Sequence, residues 1–372
     1  MTALLGVVGI MAISAAACGS DDKGTAAPTS SPAAATSVAD ATTTAPATGG
    51  STETTGLTAT TVAGGSSTPA TADAQGKPEL NRPLKVTSIG YANEITLLWA
   101  VDKGLFEKHG ITVDRVTVGG GSAAIAAVTT GAVDIGFTNG LSAIQAYAQG
   151  FPLKVVLGAY ENAYPTDPKT GRAAIANVKS GVEKPCDLEG KKVGVTELGN
   201  IGYQYWLAWL REKGCNVENV NFVTIPAGQI AAALESRRID AMETGGNAVQ
   251  DLVNRGIAKR IGDPMGETTG RTEYAMYIAN NDFISKNPNE LKAFAAAMNE
   301  SLAQISDPKN LDEATALAAK FANTTVELLK SSQQEKLDTV VDPDIMTKME
   351  QVLVDNGVLK KAVDISGLIY TP

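Results

Sequence analysis

The residues best suited to chemistry in this chain are carboxylates, tyrosines and glycine turns, and together they suit binding. Glu94, Glu161, Glu197 and Glu243 each follow a short apolar run. Several carboxylates lining one cleft repel nitrate or a sulfonate and favour a cation or a nitrogen heterocycle with donor groups. Tyr91, Tyr160 and Tyr203 offer faces on which a flat ligand can stack. Gly119-Gly120-Gly121-Ser122 opens a helical pattern. Its free amides can hold an anion, or its glycines can serve only a tight turn. Gly199-Asn200 poses the same two alternatives. For any one glutamate the competing reading is a solvated rim position, the common case for carboxylates. The balance points to a nitrogenous or aromatic small molecule.

Catalysis has little to work with. The one histidine, His109, lies in Glu107-Lys108-His109-Gly110, a pattern that suits a helix C-terminus. No histidine accompanies a Ser or Cys nucleophile, and no His/Cys cluster has metal-ligand spacing. The expectation is a binding protein with no catalytic residue, no metal and no cofactor.

The elements that must position these residues alternate between short apolar runs and helical patterns, which signals an α/β fold. Strands are predicted at Leu84–Ile89, Thr112–Val118, Ala132–Phe137 and Leu153–Ala159, with helices at Ile95–His109, Ser122–Thr130 and Leu141–Gln149 between them. A second series follows. It has strands at Lys192–Thr196, Val220–Ile225 and Ile239–Thr244, and helices at Ile201–Lys213, Ile230–Ser236 and Ala248–Arg255. Gly131-Ala132-Val133-Asp134-Ile135 parallels Arg238-Ile239-Asp240-Ala241-Met242, as in two similar lobes laid end to end. Tyr274–Ala279 reads as a strand returning to the first lobe, and Pro288–Ile305, Leu311–Phe321 and Asp344–Asn356 as helices packed around it.

Ligands of open α/β sheets sit at the carboxyl ends of the strands. That rule selects Tyr91, Asn93, Glu94, Gly121, Ser122, Thr138, Asn139, Tyr160 and Glu161 from the first series. From the second it selects Glu197, Gly199, Asn200, Glu243 and Asn247. Trp99, Trp206 and Trp209 are predicted to be core, the last two on one helix face.

The net charge of −9 over 372 residues argues against nucleic acid and against a basic membrane-binding surface. Residues 1–17 read as a signal peptide: Leu4 to Ala17 is apolar and uncharged, and small residues lead to Cys18. No Lys or Arg precedes Leu4, so either the start lies upstream or the n-region is weak. Residues 18–79 are rich in Ala, Thr, Ser and Pro and cannot bury enough apolar surface to order themselves, which predicts a tether with a reach of roughly 40 Å. With Cys18 set aside, Cys186 and Cys215 remain as a pair in an exported protein. Cys186 precedes a predicted strand and Cys215 ends the helix that runs back along it, so a disulfide is expected. The alternative is two free buried thiols.

Four stretches carry a family resemblance. They are Leu97-Leu98-Trp99-Ala100-Val101-Asp102-Lys103-Gly104-Leu105-Phe106, Gly131 to Phe137, Asp187-Leu188-Glu189-Gly190-Lys191-Lys192-Val193-Gly194-Val195, and Asn287-Pro288 ahead of Leu291–Ala297. In order and spacing they resemble the periplasmic solute-binding proteins of ATP-driven (ABC) importers for nitrate, sulfonates, taurine and thiamine-type pyrimidines. Ala15-Ala16-Ala17-Cys18-Gly19 resembles the lipobox of bacterial lipoproteins, which implies lipid on Cys18.

The resemblance implies a two-lobe, type II periplasmic-binding-protein fold. Each lobe would be a mostly parallel sheet flanked by helices, closing on its ligand like a hinge. Lobe 1 is expected over 80–182 and 265–372, and lobe 2 over 183–264. The expected partners are a small-molecule ligand, the permease and ATPase subunits, and the outer face of the cell membrane through the lipid anchor, with the protein itself a monomer. A ligand-sensing lipoprotein shares all these features and stands as the alternative. A pyrimidine-synthesis enzyme on this fold needs His and Cys residues in the site that the sequence lacks.

Overall fold

A computed structural model describes residues 76–371. The expected signal peptide, the lipidated Cys18 and the tether as far as residue 75 lie outside the described residues. The last tether residues lie on a later helix: Asn289 donates to Glu79 and, through Nδ2, to the carbonyl of Lys77 at 3.0 Å.

The first lobe opens with β1 (Leu84–Ser88), α1 (Ile95–Asp102), α2 (Leu105–Lys108), β2 (Val113–Thr117) and α3 (Gly121–Thr129). β3 (Gly136–Thr138), α4 (Gly140–Ala148) and β4 (Leu153–Glu161) follow. The second lobe contains β5 (Ala173–Asn177), β6 (Lys192–Val195), α5 (Ile201–Glu212), β7 (Asn221–Thr224) and α6 (Ala227–Glu235). It ends with β8 (Ala241–Thr244), α7 (Gly246–Asn254), β9 (Ala258–Gly262) and α8 (Pro264–Thr268). The chain then returns through β10 (Ala275–Asn280), α9 (Asn281–Lys286), α10 (Pro288–Ile305), α11 (Leu311–Phe321), α12 (Val326–Ser331), β11 (Lys336–Leu337) and α13 (Pro343–Asp355).

Two aspartates explain the internal repeat. Asp134 accepts from the amide of Lys85 at 2.8 Å and from both terminal nitrogens of Arg82 at 2.7 and 2.8 Å. Asp240 accepts from the amide of Lys192 at 2.9 Å. Each ties the start of one strand, β1 or β6, to the turn that leads into the next strand but one, β3 or β8.

β1 and β2 pair in parallel, and a parallel bridge from Val86 to Ile135 joins them to the sheet β3–β10–β4–β11. The second lobe orders its strands β7–β6–β8–β5–β9. By strand direction each sheet is mostly parallel, as expected from sequence, but each is mixed through a minority of reversed strands. β10 runs antiparallel to β3 and β4, and β5 runs antiparallel to β8 and β9. These reversed strands are the ones that follow a crossing between lobes, so they enter their sheets from the far end.

β5 also corrects the expected lobe boundary. It lies within 80–182 yet is hydrogen-bonded into the second sheet, so the chain crosses between Glu161 and Ala173. It crosses back between Gly262 and Ala275. Both β5 and β9 are absent from the predicted elements. The helix predicted over Ile95–His109 breaks in two at Gly104, whose φ of 64° ends α1 and starts α2.

Alternation assigns the core. Along β10, Ala275, Tyr277 and Ala279 pack with α1, α10 and α11, while Met276 and Ile278 pack with α4 and α13. That second cluster also takes in Ile201, Tyr205 and Ala208 of α5, so the lobes share a core along one side. Trp99, Trp206 and Trp209 are all buried.

Cys186, just ahead of β6, and Cys215, just after α5, form a disulfide with Cα atoms 5.0 Å apart across a sequence separation of 29. Closing a loop of that length in the unfolded chain should contribute about 3–4 kcal/mol. Urea unfolding with and without a reductant checks this. The midpoint should fall on reduction, and an unchanged midpoint would show that no such bond restrains the chain.

Candidate ligand cleft

A cavity of about 520 Å³ opens between the two lobes. Its walls are the loops after β1, β2 and β3 with the end of β4 on one side and the loops after β6 and β8 on the other, the carboxyl ends of the strands. Tyr91, Asn93, Gly121, Thr138, Asn139 and Tyr160 line it from the first lobe. Glu197, Asn200, Glu243 and Asn247 line it from the second.

Two of these are helix caps. The Asn139 side chain accepts from the Ser142 amide at 2.9 Å to start α4, and Asn200 does the same for Tyr203 at the start of α5.

The remaining expected residues do not reach the cavity, each for a local reason. Glu94 is buried, and its carboxylate accepts from Ser88 Oγ (2.6 Å) and from the amides of Ile89, Gly90 and Tyr91 at 2.7 to 3.0 Å. It shapes the loop after β1, of which Tyr91 and Asn93 line the cavity. Glu161 turns away into an ion pair with Arg271 and Lys336. Burial opposes its charge, but hydrogen bonds from those two cations hold its carboxyl below the usual range. Ser122 is exposed on α3. Gly199 serves its turn, with φ at 89°, the conformational alternative of its pair. Tyr203 packs edge-on against Phe222 in the second lobe's core.

Sequence reasoning missed the centre of the site. Arg172, from the first crossing, lines the cavity with only 5% of its side chain exposed. It pairs with Glu243 and, at 3.1 Å, with Glu335 from the segment after α12. Its guanidinium lies 4.5 Å over the ring of Tyr274, which stacks on Tyr160 with centroids 5.4 Å apart. Burial works against the Arg172 charge, yet Glu243 and Glu335 hold its pKa well above the ordinary value. Burial also pushes the Glu243 carboxyl up, against the pull of Arg172. Arg172 and Glu335 are 163 residues apart, and no local pattern could have joined them.

The charged residues lining the cleft are Arg172, Glu197, Glu243 and Glu335, so one cation faces three carboxylates among the described residues. His109 sits elsewhere, bonded to Glu300 at 2.9 Å.

The two crossings meet below the cavity. Asn162 and Thr272 exchange backbone and side-chain hydrogen bonds at 3.1 and 2.6 Å, and Tyr205 Oη bonds Thr269 and Thr272. Beside them Glu273 is buried with one partner, the Asp342 amide at 2.7 Å. Burial, with Glu161, Asp338 and Asp342 nearby, lifts its pKa to about 7 against the pull of that amide.

The sequence model of the NMT1/THI5-like family matches residues 92–310. The chain belongs to the NMT1/THI5-like family. It is 27% identical over 208 residues to the taurine-binding periplasmic protein of Escherichia coli K12, covering 56% of this chain and 62% of that one. It is 25% identical over 250 residues to a putative binding protein of Brucella abortus, covering 65% and 72%. The periplasmic aliphatic sulphonate binding protein SsuA of Escherichia coli superposes with a TM-score of 0.61 at 19% identity, over 78% of this chain and 92% of that one. This member of the NMT1/THI5-like family therefore has the two-lobe periplasmic-binding-protein fold.

Two substitutions test the architecture of this family member's cleft. Arg172→Met leaves two buried carboxylates unpaired and should cost about 3–5 kcal/mol in urea unfolding. The triple change Arg172→Met, Glu243→Gln, Glu335→Gln should recover at least half of that loss, and no recovery would mean that the charges are not what Arg172 stabilises. For Glu273, folding raises the pKa to about 7. Its contribution is therefore full below the unfolded value near 4.3 and lost as pH rises through 7. Glu273→Gln should unfold about 2–3 kcal/mol later than the parent at pH 8, and level with it near pH 4. An equal gain at both pH values would show that ionisation plays no part.

Proposed function

We propose that this chain is the extracytoplasmic solute-binding component of an ABC importer, held at the outer face of the bacterial cell membrane through lipid on Cys18. It captures a small molecule as the lobes close and hands it to the permease, which the ATPase drives. Membership in the NMT1/THI5-like family supports the class of function. So does the similarity to the taurine-binding periplasmic protein of Escherichia coli.

The observation that carries the reading is the cavity itself. Strand-end loops of both lobes wall it, and both chain crossings run beneath it, so closing the lobes encloses its contents.

The ligand is a flat nitrogenous compound, pyrimidine-like in class. The stacked Tyr160–Tyr274 pair and Tyr91 supply aromatic surface. One guanidinium against three carboxylates, with that guanidinium already paired twice, makes a poor host for a bare anion. The serine- or cysteine-based chemistry of an enzyme has no histidine in this cleft to activate it.

A thermal-shift panel of uracil, cytosine, riboflavin, spermidine, taurine and nitrate tests the proposal. Ligand at a hundred times its Kd should add about 2.7 kcal/mol and raise Tm by several degrees. The ring compounds should give the rise. A shift with taurine or nitrate alone would overturn the ligand class.

A further inference from the structure

The ligand reading above leaves open which groups on a ring the cleft recognises, and two consecutive glycines narrow it. α3 starts at Gly121 with Gly120 as its N-cap and no side chain capping it. The amides of Gly121, Ser122 and Ala123 have no acceptor among the described residues. Neither Gly120 nor Gly121 has a left-handed φ, so the backbone does not demand glycine there. Space demands it at Gly121. A Cβ there would stand 2.6 Å from Thr138 Oγ1 and 3.1 Å from Asn139 Nδ2.

Thr138 is the second, independent sign of a ligand. It is 1% exposed, it lines the cavity, and its hydroxyl has no partner. A buried hydroxyl without a partner is costly unless something else supplies one. Asn139 spends its oxygen on the Ser142 amide, which leaves its Nδ2 hydrogens to donate. The first lobe thus gathers backbone-amide, hydroxyl and side-chain amide donors around Gly121.

The second lobe answers with an acceptor. Glu197 Oε2 is the nearest atom to where a Cβ on Gly120 would stand, at 3.9 Å. The Glu197 carboxylate has no ion pair or hydrogen bond among the described residues; only the backbone carbonyl of Glu197 is bonded, by the Asn200 amide. Gly120, Gly121, Thr138, Asn139 and Glu197 all line the one cavity, so donors and carboxylate face the same space from opposite lobes.

We propose that this space reads a lactam-type edge, a ring carbonyl beside a ring N–H. Thr138, Asn139 and the α3 amides donate to the carbonyl oxygen, and Glu197 accepts from the N–H. The inference rests on the nitrogenous-ligand reading and names the edge by which such a ligand is held. A free anion over the same donors meets the Glu197 charge, and a bare cation at Glu197 leaves the donors unpaired. Only a group carrying both an acceptor and a donor satisfies both lobes at once, and it does so when they close. A site built to bond an N–H discriminates strongly against an analogue that lacks it.

Calorimetric titration of the full chain with uracil, cytosine and riboflavin tests this, with 1,3-dimethyluracil as the analogue whose ring N–H groups are blocked. At least one of the three should bind, and 1,3-dimethyluracil should bind at least tenfold more weakly than uracil. Glu197→Ala and Thr138→Val should each weaken the bound ring at least tenfold. Neither variant should lower the parent's unfolding midpoint, since the Glu197 carboxylate has no partner to lose and valine removes an unbonded buried hydroxyl. If one of the rings binds and neither variant changes its Kd, or if 1,3-dimethyluracil matches uracil, the edge proposal fails while the ligand class stands. If none of the three binds and taurine does, both fall.

Discussion

A buried guanidinium organises this molecule. Arg172 leaves the first crossing, Tyr274 ends the second, Glu243 ends a strand of one lobe, and Glu335 belongs to the C-terminal part of the other. A charge so deeply buried persists only when its donors are matched. The four elements cannot move apart without leaving Arg172 or a carboxylate alone in a low-dielectric site. The floor of the cleft is therefore fixed by charge pairing, and the tyrosine stack rests on it.

The same network sets where the lobes can pivot. Gln333 and Glu335 bond the loop between β4 and β5 through Thr170, Pro165 and Ala163, so a third segment straps the first crossing. On the far side α5 shares an apolar cluster with α4 and α13. Packed interfaces of this kind resist continuous deformation. Relative motion is left to the rim, where loops such as Gly119–Ser122 and Glu197–Asn200 face each other with few bonds between them. Recognition groups sit on that rim, and the rigid groups sit at the base.

Much of the fold is legible in the sequence because its signals are local. Asn287-Pro288 and Asn310 start α10 and α11 where expected, and the repeated apolar-Asp step marks two strands that do the same mechanical job. β5 was illegible for a physical reason. Ala173 and Ile175 face one cluster while Ala174 and Ala176 face the other, so Ala-Ala-Ile-Ala-Asn shows neither alternation nor β-branched bulk. The loops of the cleft follow from strand ends, but the direction of each carboxylate does not. Glu94 and Glu161 occupy the same kind of position as Glu197 and Glu243. Only the neighbouring amides and cations decide that the first pair belongs to the scaffold.

The acidity of the cleft consequently comes from a different set of residues than a reading of strand ends selects. Removing Glu94 and Glu161 and adding Glu335 leaves three carboxylates, two of which Arg172 already holds. The charge left for a ligand is Glu197, facing a cluster of donors rather than a cation. A solute bound between them is selected less by its net charge than by whether it presents an acceptor and a donor side by side. On the proposed reading, two lobes that each supply half of a hydrogen-bond pair would make closure and selection the same event, since neither half would hold such a solute alone.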